Sequence, residues 1–158
     1  MAARPPEKNR LARLGLLLLL SVGVACGSSK EKTMSKPVAS DSVQQREALA
    51  KQLGLDIPAS ARVLGVERQS EGDALLRAKL QMTSKDWSTL LKSSSVDPEA
   101  MSPGTGGLLG PDHGWWDPHA AKNLRTGQAL IAPGTYLNLG FDDSNADPVT
   151  VFIVKHGT

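Results

Sequence analysis

Residues 14–24, LGLLLLLSVGV, carry no charge and offer no polar face, and this run constrains how the whole chain can be organised. As a helix its eleven residues reach about 16 Å at ~1.5 Å per residue, roughly half of the ~30 Å hydrocarbon core of a bilayer. That is too short for a permanent span. A core helix of a folded domain fits no better, because five consecutive leucines at 16–20 leave no side for water and no periodic apolar segment adjoins them. Arg4, Lys8, Arg10 and Arg13 stand ahead of the run against one acid, Glu7, and the small residues Ala25, Cys26 and Gly27 follow it. A basic stretch, a short apolar stretch and a small-residue boundary are the order of a secretory signal peptide, here residues 1–25.

Cys26 is the only cysteine in the 158 residues and sits directly behind the apolar run. One cysteine makes no internal disulfide, and a lone exported thiol is a redox liability unless something consumes it. A thioether to diacylglycerol would consume it. The segment Val22-Gly23-Val24-Ala25-Cys26 resembles the lipobox of bacterial lipoproteins, in which small residues and an invariant cysteine close the apolar region. The resemblance covers the first 26 residues only. It implies cleavage before Cys26, lipidation of that residue, a further amide-linked chain such as palmitate, and anchoring to membrane lipid in the cell envelope. Gly27, rather than Asp, follows the cysteine, which in a two-membrane host resembles the outer-membrane class. Gly23 stands where the family has a larger apolar residue, and Gly23 with Ala25 also suits an ordinary signal peptidase. A soluble secreted protein cut before an unmodified Cys26 is therefore the alternative, with an uncleaved anchor as a third.

Residues 1–25 hold four positive charges against one negative, a net of +3, so the rest of a chain whose total is +2 carries −1. Without the leader no basic excess is left for a phosphate backbone, which argues against a nucleic-acid partner. Residues 27–42, GSSKEKTMSKPVASDS, are Ser- and Lys-rich with no apolar period, and with Cys26 they read as a disordered tether over 26–42. Sixteen such residues span about 22 Å r.m.s. at ~5–6 Å × √n, enough to hold a domain clear of lipid headgroups.

From residue 43 the pattern becomes that of one small α+β domain, 43–158. Leu49 and Leu53 share a face of a helix over 43–53, which Ser42 and Gln45 can cap and Gly54 can close. A strand over about 61–68 and a turn at Ser70-Glu71-Gly72-Asp73 lead to a second strand over 74–82. In that strand Ala74, Leu76, Ala78, Leu80 and Met82 alternate with Leu75, Arg77, Lys79 and Gln81, which predicts one core face and one wet face. Thr83 with Asp86 starts a second helix reaching about 93, with Trp87, Leu90 and Leu91 at helical spacing. Residues 94–127, with four prolines and six glycines, read as a long loop. Strands follow at 128–132 and 135–141 around Pro133-Gly134, and Val149–Val154 reads as a central strand buried on both faces. The whole predicts a mainly antiparallel sheet with two helices on one face.

The densest group of chemistry-bearing residues is Asp112-His113-Gly114-Trp115-Trp116-Asp117-Pro118-His119 in the long loop. Two readings compete there. His113, Trp115, Trp116 and Asp117 can form a ligand site, with stacked tryptophans for a sugar ring or apolar ligand and Asp117 as a polar anchor. Alternatively one tryptophan plugs the core beneath the loop while Pro118 shapes its exit. The His-x5-His spacing is no helical pair and no HExxH occurs, so no metal is expected. Asp143-Ser144-Asn145-Ala146-Asp147 opens like a calcium loop, but Pro148 replaces the turn glycine and Val154 the bidentate Glu, leaving an acidic hairpin turn. Gly104-Thr105-Gly106-Gly107 lacks the Lys-Ser/Thr of a phosphate loop, and no G-x-S-x-G is present.

Glu67, Glu71 and Asp73 flank a turn and read as solvated. No acid, base and pocket assemble, so neither catalytic residues nor a cofactor is expected. The expectation is a non-enzymatic binding or interaction domain whose partner is an envelope protein or a cell-wall component. A small-ligand or glycan module built on Trp115-Trp116 is the alternative, and a hydrolase is the least favoured class.

Overall fold

The computed structural model describes residues 43–69, 74–108, 110–145 and 147–157. The signal peptide, Cys26, the tether and the turn at 70–73 lie outside the described residues. Val43–Leu53 forms α1, Arg62–Gln69 β1, Leu75–Met82 β2 and Ser84–Ser93 α2. Ser102–Pro103 is a two-residue β3, and Leu124–Ala132, Thr135–Asp142 and Val149–Gly157 are β4, β5 and β6. The strands make one six-stranded sheet in the order β1-β2-β6-β5-β4-β3, every neighbouring pair antiparallel. The last strand of the chain thus joins two antiparallel pairs, β1–β2 and β5–β4.

Local chemistry sets the helix ends. Gly54 leaves α1 with φ +73°, and its N–H closes on the Ala50 carbonyl at 2.8 Å, the left-handed exit that glycine permits. Lys155 donates to the Gln52 carbonyl at 2.7 Å and Arg68 to the Gln52 side chain at 2.8 Å, so two cations meet the negative end of this helix. At α2 the Thr83 hydroxyl accepts from the Asp86 N–H, and Asp86 accepts in return from the Thr83 and Ser60 hydroxyls. Asp147, in the acidic turn between β5 and β6, accepts from the Ser84 N–H at 3.2 Å.

Both helices cover the same face of the sheet. Leu49 and Leu53 of α1 and Trp87 and Leu90 of α2 join Leu76, Ala78, Leu80 and Met82 of β2 in one core. Leu137, Leu139, Val149, Val151 and Ile153 complete it from the central strands. Trp87 lies 4.8 Å from the Phe141 ring and fastens α2 to β5. β6 is central and buried on both sides through Val151, Phe152, Ile153 and Val154, as its apolar run predicts.

Two expectations need correction. The second face of β2 is not wet: the Arg77 and Lys79 side chains keep only 11% and 15% of their surface exposed. Residues 94–127 are not one loop either. β3 lies within them, and β4 begins at Leu124, four residues before the alternation suggested. Both departures have one cause. Phe152 and Val154 are apolar on the face opposite the helices, and the segment after β3 folds back to cover them.

A chain starting at residue 43 is expected to unfold in a single cooperative thermal transition, since the helices and strands of the described residues share one sheet and one main core from Val43 onward. A broad transition would assign residues before 43 to the core.

Candidate functional site

The register lays out the face opposite the helices. Gln128, Asn138, Val154, Arg77 and Glu67 form one cross-strand row, and Thr126, Gly140, Phe152, Lys79 and Gly65 form the next. Leu108, Trp116, Leu124, Phe152 and Val154 are buried together here as a second, smaller core, with Leu75, Trp115 and Ala121 against it.

His113-Gly114-Trp115-Trp116 is a tight hairpin. The His113 N–H donates to the Trp116 carbonyl at 2.6 Å and the Trp116 N–H to the His113 carbonyl at 2.8 Å. Gly114, with φ +51°, takes the first central position of the turn, where a side chain would be strained. The turn sets the two indoles at 81° to each other with centroids 5.8 Å apart. They therefore have different fates. Trp116 is 0% exposed and stands edge-on to Phe152 at 5.5 Å, with the Arg77 guanidinium 5.8 Å from its ring. Trp115 lies half-buried across β1 at Gly65, where a Cβ would come within 2.1 Å of its ring. Only glycine admits that approach.

Ionic contacts fix the loop to the sheet. Asp117 meets Lys79 of β2 at 2.5 Å, and Pro118–Ala120 then makes one turn of 3-10 helix. Lys79 also sits 5.4 Å from the Phe152 ring. His113 lies 3.3 Å from Glu67, which Arg77 holds at 2.9 Å. Asp112 accepts from the His119 ring at 2.7 Å and from its backbone N–H at 3.3 Å, closing the segment on itself. Further back, the loop at Gly107 runs close over Asn138; a Cβ there would meet the amide oxygen at 2.2 Å.

Three carboxyls are held below the ordinary value of 3.8. For Asp86 the largest cause is the Ser60 hydroxyl, followed by that of Thr83. Burial pushes Asp112 and Asp142 upward, and hydrogen bonds outweigh it: from His119 onto Asp112, and from Ser144 and the Asn123 backbone onto Asp142.

The structure thus brings His113, Trp115, Trp116 and Asp117 together, and adds Glu67, Arg77, Lys79 and Asn138, which the sequence pattern had turned toward water or left unassigned. Trp116 spends its ring on the second core and Trp115 one face on Gly65, so the pair does not present two open platforms. Three buried donors on this face, Arg77 Nε, Trp116 Nε1 and Asn138 Nδ2, find no acceptor among the described residues. Among the described residues no three His, Cys, Asp or Glu side chains group as a metal site, and no helix is long and apolar enough to cross a membrane. No protein-family model matches the chain, and neither does a curated protein or a solved structure.

Trp116→Ala is expected to destabilise the domain by about 3–5 kcal/mol and Trp115→Ala by far less, as measured by denaturant unfolding. Gly65→Ala should displace Trp115 and alter its fluorescence while the main core persists. Because a carboxyl depressed in the folded state adds stability above its unfolded value and loses it as pH falls through the folded one, the unfolding midpoint should hold down to about pH 4 and drop below it. Asp112→Asn should flatten that acid-side slope.

Proposed function

We propose that this chain is a lipid-anchored bacterial envelope protein whose domain 43–158 binds another envelope component without catalysing a reaction. The observation that carries the reading is the placement of the single cysteine, Cys26, directly behind a basic stretch and an eleven-residue apolar run, with a polar tether after it. One acyl chain gives only marginal membrane binding, at about 0.8 kcal/mol per buried CH₂, so stable anchoring takes two. A diacylglyceryl thioether at Cys26 meets that requirement. Gly27 behind it favours the outer membrane in a two-membrane host. A binding role is supported by the pairing of the charges on the covered face, Glu67 with Arg77 and Asp117 with Lys79, which fixes the shape of that surface.

A second reading, a small-ligand or glycan module, is favoured by one observation. Arg77 Nε, Trp116 Nε1 and Asn138 Nδ2 are all donors, all buried and all without an acceptor among the described residues, each at a cost of about 1–3 kcal/mol. Sugar hydroxyl and carbonyl oxygens are the complementary chemistry, reached when the 104–121 segment lifts. Loss of tryptophan fluorescence change with every oligosaccharide and cell-wall fraction tested would remove this reading.

Cys26→Ser is expected to release the protein from membranes or stall its processing, with the domain still folded. Mass spectrometry of the mature N-terminus is the direct measurement. An unmodified Cys26 at the terminus would make this a soluble secreted protein.

A further inference from the structure

The segment between β3 and β4 crosses the sheet and then returns. On the outward leg Gly106 lies over Thr126 of β4, Gly107 over Asn138 of β5, Gly110 over Arg77 of β2, and His113 meets Glu67 of β1. After the hairpin the return leg sets Trp115 over Gly65 of β1, Asp117 on Lys79 of β2 and Trp116 against Phe152 of β6. The two legs are held differently. An enclosed indole and an ion pair fasten the return leg. From Gly104 to Leu108 the outward leg has one buried side chain, Leu108, and glycine at three of five positions. Gly104 and Gly106 take φ of +108° and +41°, which a residue with a side chain would hold only under strain. A Cβ at Gly107 would come within 2.2 Å of the Asn138 amide, and one at Gly110 within 2.4 Å of the Arg77 guanidinium, so bare backbone is the cover over both.

Asn138 and Arg77 stand in one cross-strand row with Val154 between them, two strand spacings of ~4.8 Å apart. Asn138 Oδ1 accepts from Gln128 Nε2 at 2.8 Å, which turns Nδ2 away from β4, and Nδ2 finds no acceptor among the described residues. Arg77 Nε finds none either, although its Nη1 is held by Glu67 at 2.9 Å. The next row on the same face is Leu75–His156–Tyr136–Leu130. Leu130 is 61% exposed, and Tyr136 and His156 are half-buried and stacked with centroids 5.4 Å apart. The two donors therefore have an aromatic flank on the side away from the return leg.

The chemistry of an occupant follows from what this row offers. Glu67 with Arg77 and Asp117 with Lys79 cancel, so these pairs leave no net charge to draw an ion. The unmatched groups are donors only, and a carbonyl oxygen, which accepts without bringing a hydrogen of its own, suits them better than a hydroxyl. An acetamido group supplies that oxygen on a neutral sugar ring, and the C–H face of such a ring suits an aromatic flank. We propose that an uncharged oligosaccharide of N-acetylated amino sugars lies along this row in the place of Gly104–Leu108. Its acetamido oxygens accept from Asn138 Nδ2 and Arg77 Nε, and one ring lies against Tyr136. The site rests on the glycan reading and narrows it, because the tryptophans keep the return leg closed and only the glycine leg yields.

The test titrates the full-length chain, in a phosphocholine detergent that carries no sugar, with the β-linked tetramer of N-acetylglucosamine and in parallel with that of glucose. In proton–nitrogen correlation spectra the Asn138 side-chain amide and Arg77 Nε–H signals are expected to shift with the N-acetylated tetramer and far less with the glucose tetramer. Asn138→Leu should weaken binding about tenfold, as the loss of one hydrogen bond, while Trp115→Ala changes it less than about twofold. Should Asn138→Leu not fold, the spectra of the unaltered chain decide. Equal shifts with the glucose tetramer overturn the acetamido assignment. Binding that needs Trp115 and leaves the Asn138 and Arg77 signals in place overturns the site while the glycan reading stands. No change with either tetramer also overturns the site, and the glycan reading falls with it only when every cell-wall fraction fails to alter tryptophan fluorescence.

Discussion

The structure depends on burying β6 from both sides. Val151, Phe152, Ile153 and Val154 are consecutive apolar residues in a strand, so their side chains alternate between the two faces and neither face can be left to water. On one side the answer is conventional, with α1 and α2 laid over Val151 and Ile153. On the other side no α-helix lies among the described residues. The segment between β3 and β4, rich in glycine and proline, folds back over Phe152 and Val154 and brings Leu108 and Trp116 as the apolar cover. The long loop, the near-burial of Arg77 and Lys79 and the position of the tryptophans all follow from that single requirement.

Much of this was legible in the sequence, and the part that was not has a definite physical reason. Leu49 and Leu53 with Gly54, Thr83 with Asp86, and the alternation over 74–82 are local signals, and the elements they mark are present, the strand starting at Leu75. The alternation misled only in assigning Arg77 and Lys79 to water. A strand's pattern shows which side is more apolar; it does not show whether something distant covers the other side. The corrective lay seventy residues on, because a strand buried on both faces requires cover wherever its neighbour in the sheet is β2. β3 was illegible for a different reason. Two residues, Ser102 and Pro103, carry no period, and their pairing with Arg125 and Thr126 is settled by tertiary contact alone. The site followed the same division. His113, Trp115, Trp116 and Asp117 are adjacent in sequence, whereas Glu67, Arg77, Lys79 and Asn138 join them only through sheet register.

What holds the loop in place can be decided from magnitudes. Its ion pair, Asp117 with Lys79, and the contact of His113 with Glu67 are partly exposed, and a pair so exposed is worth about 0–1 kcal/mol. Three buried donors find no acceptor among the described residues, so the polar contacts of this face are not what holds the loop closed. The favourable term is apolar: an indole as fully enclosed as Trp116, edge-on to Phe152, adds its burial to roughly 0.5–1.5 kcal/mol of aromatic contact. The charges choose where the loop lies, and Trp116 keeps it there.

That division of labour separates the two faces in stability. The helix-side core draws on both helices and four strands, while the loop-side core rests on five buried residues, two of them on the loop itself. A segment held by two buried side chains and positioned by weak pairs is expected to open at lower free energy than the sheet beneath it. Opening would expose the Phe152 ring, two cations and an amide on a rigid sheet, while the helix-side core stays intact. Such opening needs no hinge in the scaffold, because the ground on which the loop rests is the doubly buried strand that required the loop in the first place.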